Sequence, residues 1–364
     1  MSIGFFVPEE TTSRPLSLEK LGQITGKNFV YAPKGRYALW RLIQTLCAPD
    51  AAVLMPAYFC ASTVIEIKKL GRPIIWYDVE MEDLNPSVLS IQQKLACVPK
   101  QSVVVVPSYY GNAADLFAIE QLCRDKGAYM IDDAAQSFGA MLGGRMVGTF
   151  GDAGMFAFSP GKATAGHMGA LYWSNDLVPN VCLTKHPLLH RAQYYNFKWN
   201  RVDAYCPKPI ALRKVIGLAA TLLSKVRYCN DRIEKFEEPL LGGYLWDNLE
   251  RRSQRNEIRD RFIEEFKDET SFKILQNQRG TAHPCKIVLL FVREEDCVRM
   301  KEYLNKRAVS WFGGYYCETE VAKQLPNTEH ILNCVIELPL ECNSQRMQEL
   351  SSIVHEYCAG SGRT

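Results

Sequence analysis

Between residues 51 and 175, short apolar runs rich in β-branched residues recur with helix-like segments between them: AAVLMPAY, RPIIWYDVE, SVVVVPSYYG, AYMIDDAAQS, AGMFAFSP and GALYWSN. A strand with one wet face alternates apolar and polar residues. VVVVP does not alternate, so it is expected inside a sheet covered on both faces. The pattern predicts an α/β domain with a mostly parallel central sheet and helices on both faces. Ligands of such sheets sit in the loops beyond the strands' carboxyl ends. Here those loops are residues 56–60, 107–114, 132–136 and 159–162.

From about residue 245 the character changes. A helical stretch, LWDNLERRSQRNEIRDRFIEEF, is followed by CKIVLLFV, AVSWFGGYY and CVIELPL, which predict a smaller α+β domain running to residue 364. The segment between the two, CPKPIALRKVIGLAATLLSKVRYC, residues 206–229, mixes a helical apolar pattern with five cations, Lys208, Arg213, Lys214, Lys225 and Arg227.

With 364 residues, 47% of them hydrophobic, there is material for one large and one smaller core. A formal net charge of +3 gives no basic field that would argue for nucleic acid, so a small ligand is expected. The first residues, MSIGFFVPEETTSRP, lack a charged n-region followed by an apolar h-region, and no window reaches the roughly 18 apolar residues of a membrane span. The expected compartment is the cytoplasm. Thirteen cysteines, an odd number with no CxxC spacing, point to neither a disulfide framework nor a metal site. They read as reduced, mostly buried apolar residues.

Three strand-end features carry chemistry. In FAFSPGK an apolar strand and a Ser-Pro-Gly turn set down Lys162, where a desolvated amine is a nucleophile able to form a Schiff base. In IDDAAQS a strand runs into two adjacent acids, Asp132 and Asp133. One reading is helix capping. The other is that Asp133 holds a cationic ring nitrogen, because a buried carboxylate is tolerated beside a fixed positive charge. In YAPKGRYALWRLIQTL a Gly-containing loop opens a helix near Arg36, a place suited to phosphate, and Lys34 and Arg36 read equally as surface charges. An amine, a carboxylate and a phosphate cradle at one set of strand ends suit pyridoxal phosphate.

These residues resemble the DegT/DnrJ/StrS-type sugar aminotransferases, which have the aspartate aminotransferase fold, fold type I. VLMPAYFCASTVIEIKKLGRPIIWYDVEMEDLNPSVL looks like the family's strand, cofactor loop and "G-x-x-P-x-x-x-D-V" segment, with Pro73 one place early. PSYYGNAADL is similar to "P-V-H-x-Y-G-x-x-A-D", IDDAAQSFGA to "I-E-D-A-A-Q/H-x-x-G-A", and FAFSPGK to "F-S-F-x-x-x-K". The resemblance implies that Lys162 is the Schiff-base lysine and Asp133 the partner of the pyridine nitrogen. It also implies that Gln136 lies near the cofactor's phenolic oxygen, that Tyr58 stacks on the ring, and that Gly35 and Arg36 hold the phosphate. YNFKW looks like "Y-N-Y-R-M", which implies a homodimer with Asn196 reaching the other subunit's phosphate.

Departures from the pattern bear on the substrate. Lys34, Gly35 and Arg36 stand where the family has Ser-Gly-Thr. Ala157 replaces a phosphate-binding serine, for which Ser159 or Ser137 would substitute. "G-E-G-G" becomes Gly166, His167, Met168, Gly169. Tyr109, Tyr110 and His167 are the candidate substrate contacts at the pocket mouth. The family pattern passes directly into a helix that here resumes near Gly242, so residues 200–240 read as an insertion between a large domain (1–199) and a small one (241–364). Its basic helix is expected to be a lid or dimer decoration, the alternative being contact with a membrane surface or an anionic substrate. The implied activity is transfer of an amino group from an amino acid such as L-glutamate to a keto sugar, nucleotide-linked, in polysaccharide or natural-product synthesis. The alternatives are another reaction on the same cofactor (dehydration, elimination or decarboxylation) and a non-catalytic binding protein.

Overall fold

The computed structural model describes residues 18–32, 34–158, 162, 169–176, 249–309, 311–313, 315, 317 and 319–361. Its centre is a seven-stranded sheet built from β1 (Val30–Ala32), β2 (Val53–Pro56), β3 (Ile74–Tyr77), β4 (Val103–Pro107), β5 (Tyr129–Asp133), β8 (Ala153–Ala157) and β9 (Ala170–Ser174). A two-stranded hairpin of β6 (Met141–Leu142) and β7 (Arg145–Met146) lies between β5 and β8 in the chain. The strand order is β1-β9-β8-β5-β4-β2-β3. Strands β3, β2, β4, β5 and β8 run parallel, and β9 is antiparallel to both β8 and β1. The mostly parallel sheet expected from the apolar runs is present.

Side-chain alternation sorts these runs into two layers. Val53, Met55, Val103 and Val105 face one way and pack with Leu39, Leu42 and Ile43 of α2 (Gly35–Leu46). Leu54, Val104, Val106 and Met130 face the other way and pack with Ile91 and Leu95 of α4 (Val88–Leu95) and with Leu116, Ile119 and Cys123 of α5 (Leu116–Lys126). A sheet wetted on neither face needs apolar residues at every position, and all five residues of β4 are buried. Helices α1 (Leu18–Thr25) and α3 (Ala61–Lys68) complete this part. Local signals set the helix ends: Ser87 and Asp115 cap α4 and α5 through their side chains, and α5 stops at Gly127 in the left-handed region.

The second sheet is antiparallel, in the order β10 (Phe272–Ile274), β11 (Lys286–Phe291), β12 (Val335–Pro339). With it go α6 (Arg252–Glu265), α7 (Glu294–Lys306), α8 (Thr319–Ala322), α9 (Pro326–Cys334) and α10 (Ser344–Glu356). Ile258, Phe262, Ile287, Leu289, Ile336 and Leu350 from this part join the same apolar cluster as the α2 face of the large sheet. A polar clamp also joins the two parts. Asp78, just past β3, accepts from the backbone N–H of Asn327 at 3.1 Å and of Thr328 at 2.9 Å, and from the Thr328 hydroxyl at 2.7 Å, which satisfies the open first turn of α9. No described helix is long and apolar enough to cross a membrane.

Candidate active site

The parallel strands end together. Pro107 of β4, Asp133 of β5 and Met155 of β8 are in register. Successive residues of a strand point to opposite faces, so the two acids of IDDAAQS part company. Asp132 turns into the layer of β6 and β7, where Oδ2 accepts from the backbone N–H of Gly148 at 2.6 Å and of Phe150 at 3.0 Å. Burial pushes its carboxyl up to about 7 despite those two donors. Asp133 turns the other way, into a narrow cleft that it lines together with Lys162.

The two charges of the cleft act on each other. Burial lowers the Lys162 amine below its usual value, the nearby Lys286 cation adds to this, and Asp133, Cys285 and Cys60 pull against it. Burial raises the Asp133 carboxyl, opposed by the Ala135 N–H, which donates to Oδ1 at 2.9 Å, and by Lys162. Among the described residues nothing donates to Asp133 Oδ2. A buried carboxylate with an oxygen to spare, facing an amine held toward its neutral form, is an arrangement for a cationic ligand and a nucleophile.

The wall of the cleft is aromatic. Tyr109 is held in place by its backbone N–H, which donates to Asn85 Oδ1 at 2.8 Å. The chain then reverses through Tyr110 at φ +58° and Gly111 at φ +88°. A left-handed tyrosine costs about 1–3 kcal/mol and is kept where neighbouring structure demands it. The neighbour here is residue 283: a Cβ on Gly111 would stand 2.0 Å from the His283 carbonyl oxygen, and the His283 N–H donates to the Gly111 carbonyl at 2.9 Å.

Tyr109 and Gln136 line the cleft. Tyr58 and Tyr110 stand behind it, their hydroxyls 2.6 Å apart. Phe59 and Cys60, not Tyr58, come from the first loop to the cleft wall. Tyr58, expected to stack on a ligand ring, does not line this cleft: it is fully buried, with its hydroxyl on Tyr110 and its ring edge-on to Tyr109 and Tyr315. Tyr110, expected at the pocket mouth, is likewise drawn away, donating to Glu337 Oε1 at 2.9 Å.

Three site residues come from the second sheet and its flanking loop, and the sequence reading missed them. Glu337 is fully buried on β12 and forms an ion pair with Lys286 of β11. Strand register explains the pairing: Glu337 lies opposite Val288, one diagonal step from Lys286. Tyr315 lines the cleft and accepts a hydrogen bond from Gln136 Nε2. The available signal was an acid inside VIELPL and a lysine opening KIVLLF, ionisable residues in otherwise buried strands.

At the far end of the site, α2 begins at Gly35 directly beside β8. A Cβ on Gly35 would meet the Ala157 Cβ at 3.0 Å and the Met155 Cε at 3.3 Å, so a larger residue here would have to push these neighbours back by a few tenths of an ångström. Lys34 occupies the cap position with no side-chain hydrogen bond to the helix, which leaves the first N–H groups of α2, including those of Gly35 and Arg36, uncapped by a side chain. That end, flanked by Lys34 and Arg36, suits an anion. Ser159, His167 and Asn196, and the whole of 200–240 with its basic helix, lie outside the described residues.

Residues 37–202 match the family described as the DegT/DnrJ/EryC1/StrS aminotransferase family. GDP-perosamine synthase of Vibrio cholerae is 30% identical over 169 residues, 46% of this chain and 45% of that protein. The chain thus spans about half the length of the curated relatives it matches. Among solved structures, a DegT DnrJ EryC1 StrS aminotransferase from Brucella abortus superposes with a TM-score of 0.70 at 18% identity, covering 93% of this chain and 88% of that one. E. coli GDP-4-keto-6-deoxy-D-mannose-3-dehydratase with bound hydrated PLP superposes with a TM-score of 0.64 at 15% identity, covering 92% and 90%. At these identities the superpositions show a shared fold, that of the fold type I enzymes.

Proposed function

We propose that this chain, whose residues 37–202 are of DegT/DnrJ/EryC1/StrS aminotransferase type, is a pyridoxal-phosphate aminotransferase. It moves an amino group from an amino acid, L-glutamate first among the donors to test, to a keto group on a nucleotide-linked sugar. The observation that carries this reading is the pairing of Lys162 with Asp133 in one cleft at the ends of two parallel strands, with the uncapped start of α2 beside β8. The cleft's donor set fits pyridoxal phosphate. Asp133 Oδ2 would keep a ring nitrogen protonated, Lys162 is an amine biased toward its neutral form, and Gly35 with Arg36 would offer N–H groups and charge to a phosphate. When bound, the cofactor supplies an electron sink for the carbon that loses its proton.

The remaining work falls to the chain. Lys162 would hold the cofactor through its aldehyde and, as the amine of the cleft biased toward its neutral form, would take and return the proton at the substrate carbon as general base and acid. Asp133 would hold the proton of the ring nitrogen throughout. Tyr109 and Phe59 supply apolar walls that exclude water from the amine. Ser159 completes the phosphate site, His167 meets the sugar at the mouth, and Asn196 is contributed by the second subunit of a homodimer. The relatives' names, with their GDP-, dTDP- and UDP-linked sugars, support a nucleotide-linked sugar as the substrate class; its use in polysaccharide or natural-product synthesis, in the cytoplasm, is part of this proposal.

The visible spectrum of the purified protein supplied with pyridoxal phosphate tests the reading. A band that appears on binding, is bleached by L-glutamate and restored by a keto acceptor supports transamination. A band indifferent to every amino donor supports dehydration or elimination instead, and no band sinks both. Replacing Lys162 with Ala must remove the band, and a variant that keeps it shows that the wrong lysine was chosen.

A further inference from the structure

The hydroxyl protons of the tyrosine cluster can be assigned one by one. An ionised carboxylate only accepts, so the Tyr110 hydroxyl gives its single proton to Glu337, which Lys286 holds as an ion pair. With that proton spent, the contact between the Tyr58 and Tyr110 hydroxyls must have Tyr58 as donor. The Tyr109 hydroxyl donates to the Tyr58 carbonyl. Three of the four protons are thereby placed. Gln136 is oriented by its Oε1, which accepts the Tyr110 N–H at 3.3 Å, so Nε2 is the end that donates to the Tyr315 oxygen. Two donors remain uncommitted among the described residues: the Tyr315 O–H and the second N–H of Gln136. Both residues line the cleft that holds Lys162 and Asp133.

We propose that Tyr315 is a second donor, alongside Gln136, to an anionic oxygen bound beside Lys162, so that the two residues form a cradle for it. The inference rests on the reading above, in which pyridoxal phosphate occupies the cleft, and the oxygen is then the ring's phenolic oxygen. The hydroxyl stays protonated in this setting: burial, and after it Glu337, Cys60, Tyr58 and Cys285, push it well above the usual tyrosine range. Across the cleft, Lys162 and Asp133 are the facing charges. Because Tyr315 follows β11 and α7 in the chain, the cradle is complete only when the second sheet is docked on the first. The Tyr58–Tyr110–Glu337–Lys286 chain of bonds fixes that docking.

The test uses the full chain with pyridoxal phosphate as probe and compares wild type with Tyr315→Phe. A donor to the phenolic oxygen stabilises its proton-free form, so it holds down the pH at which the bound cofactor's visible band changes. In Y315F that midpoint rises by about one to two pH units, and the dissociation constant for the cofactor rises about tenfold. An unmoved midpoint with unchanged affinity overturns the proposal. The unaltered protein provides a reading that does not depend on how the variant folds. The 13Cζ resonance of Tyr315, in tyrosine-labelled protein, shifts when the cofactor is added, and a resonance that stays still as the band develops overturns the proposal equally. A wild-type protein that develops no band removes the parent reading and this one with it, an outcome distinct from a band insensitive to Tyr315.

Discussion

Replacing Asp132 with Asn removes one of the two adjacent acids at the end of β5 and leaves the cleft acid, Asp133, in place. Asp132 is fully buried, and burial lifts its carboxyl from 3.8 to about 7, against the pull of the Gly148 and Phe150 N–H groups. Its Oδ1 has no hydrogen-bond partner among the described residues, as befits the position of a proton or an amide. An acid whose folded value is raised costs nothing below its unfolded value, and the cost grows until pH passes the folded value. The window here runs from about pH 4 to pH 7, with a full cost of about 4 kcal/mol at 1.36 kcal/mol per unit. Between pH 5 and pH 8 the wild type should therefore lose about 2–3 kcal/mol on account of this group alone. The D132N variant, with an amide that does not titrate, should not. Urea unfolding of both proteins at pH 5, 6, 7 and 8 isolates the term, because other titrating groups cancel in the difference. The variant's stability relative to wild type should climb with pH by that amount and level off above pH 7. A difference that is flat with pH, or that falls, refutes the assignment of a protonatable buried acid to Asp132.

Two further outcomes follow from the second sheet and its contact with the first. Glu337→Gln takes away the fully buried carboxylate that pairs with Lys286, and urea unfolding should show a loss of about 3–5 kcal/mol, part of which the double replacement K286M/E337L restores. A loss below about 1 kcal/mol would mean that the pair is solvated. Gly111→Ala forces a Cβ against the backbone of residue 283, where no side chain can give way. The expected cost is about 3 kcal/mol in thermal or urea unfolding, and a neutral result would contradict the close packing of the 107–114 loop on the second sheet.

What could be read from the residues alone divides along physical lines. The buried strands β2, β4, β5, β8 and β9 announced themselves because a strand covered on both faces must be apolar throughout, a property of each segment by itself. The same logic brought Lys162, Asp133, Gln136 and Tyr109 together, since strand-end loops of a parallel sheet meet in space whatever the order of the strands. The three-residue β1 and β10, and the β6–β7 hairpin of two residues a side, carry too little pattern to be seen. The burial of Tyr58 behind the cleft was hidden for a different reason. Tyrosine and phenylalanine are equivalent in a sequence pattern, and which of two adjacent rings lines the cleft is decided by the hydroxyl's partner, Tyr110, 52 residues away. Glu337 and Tyr315 belong to this second kind, significant only through contacts made across the chain. The chemistry of the cleft was therefore legible wherever one loop carries it. The side chains that fix its geometry were not, because their partners belong to a sheet whose register no local signal specifies.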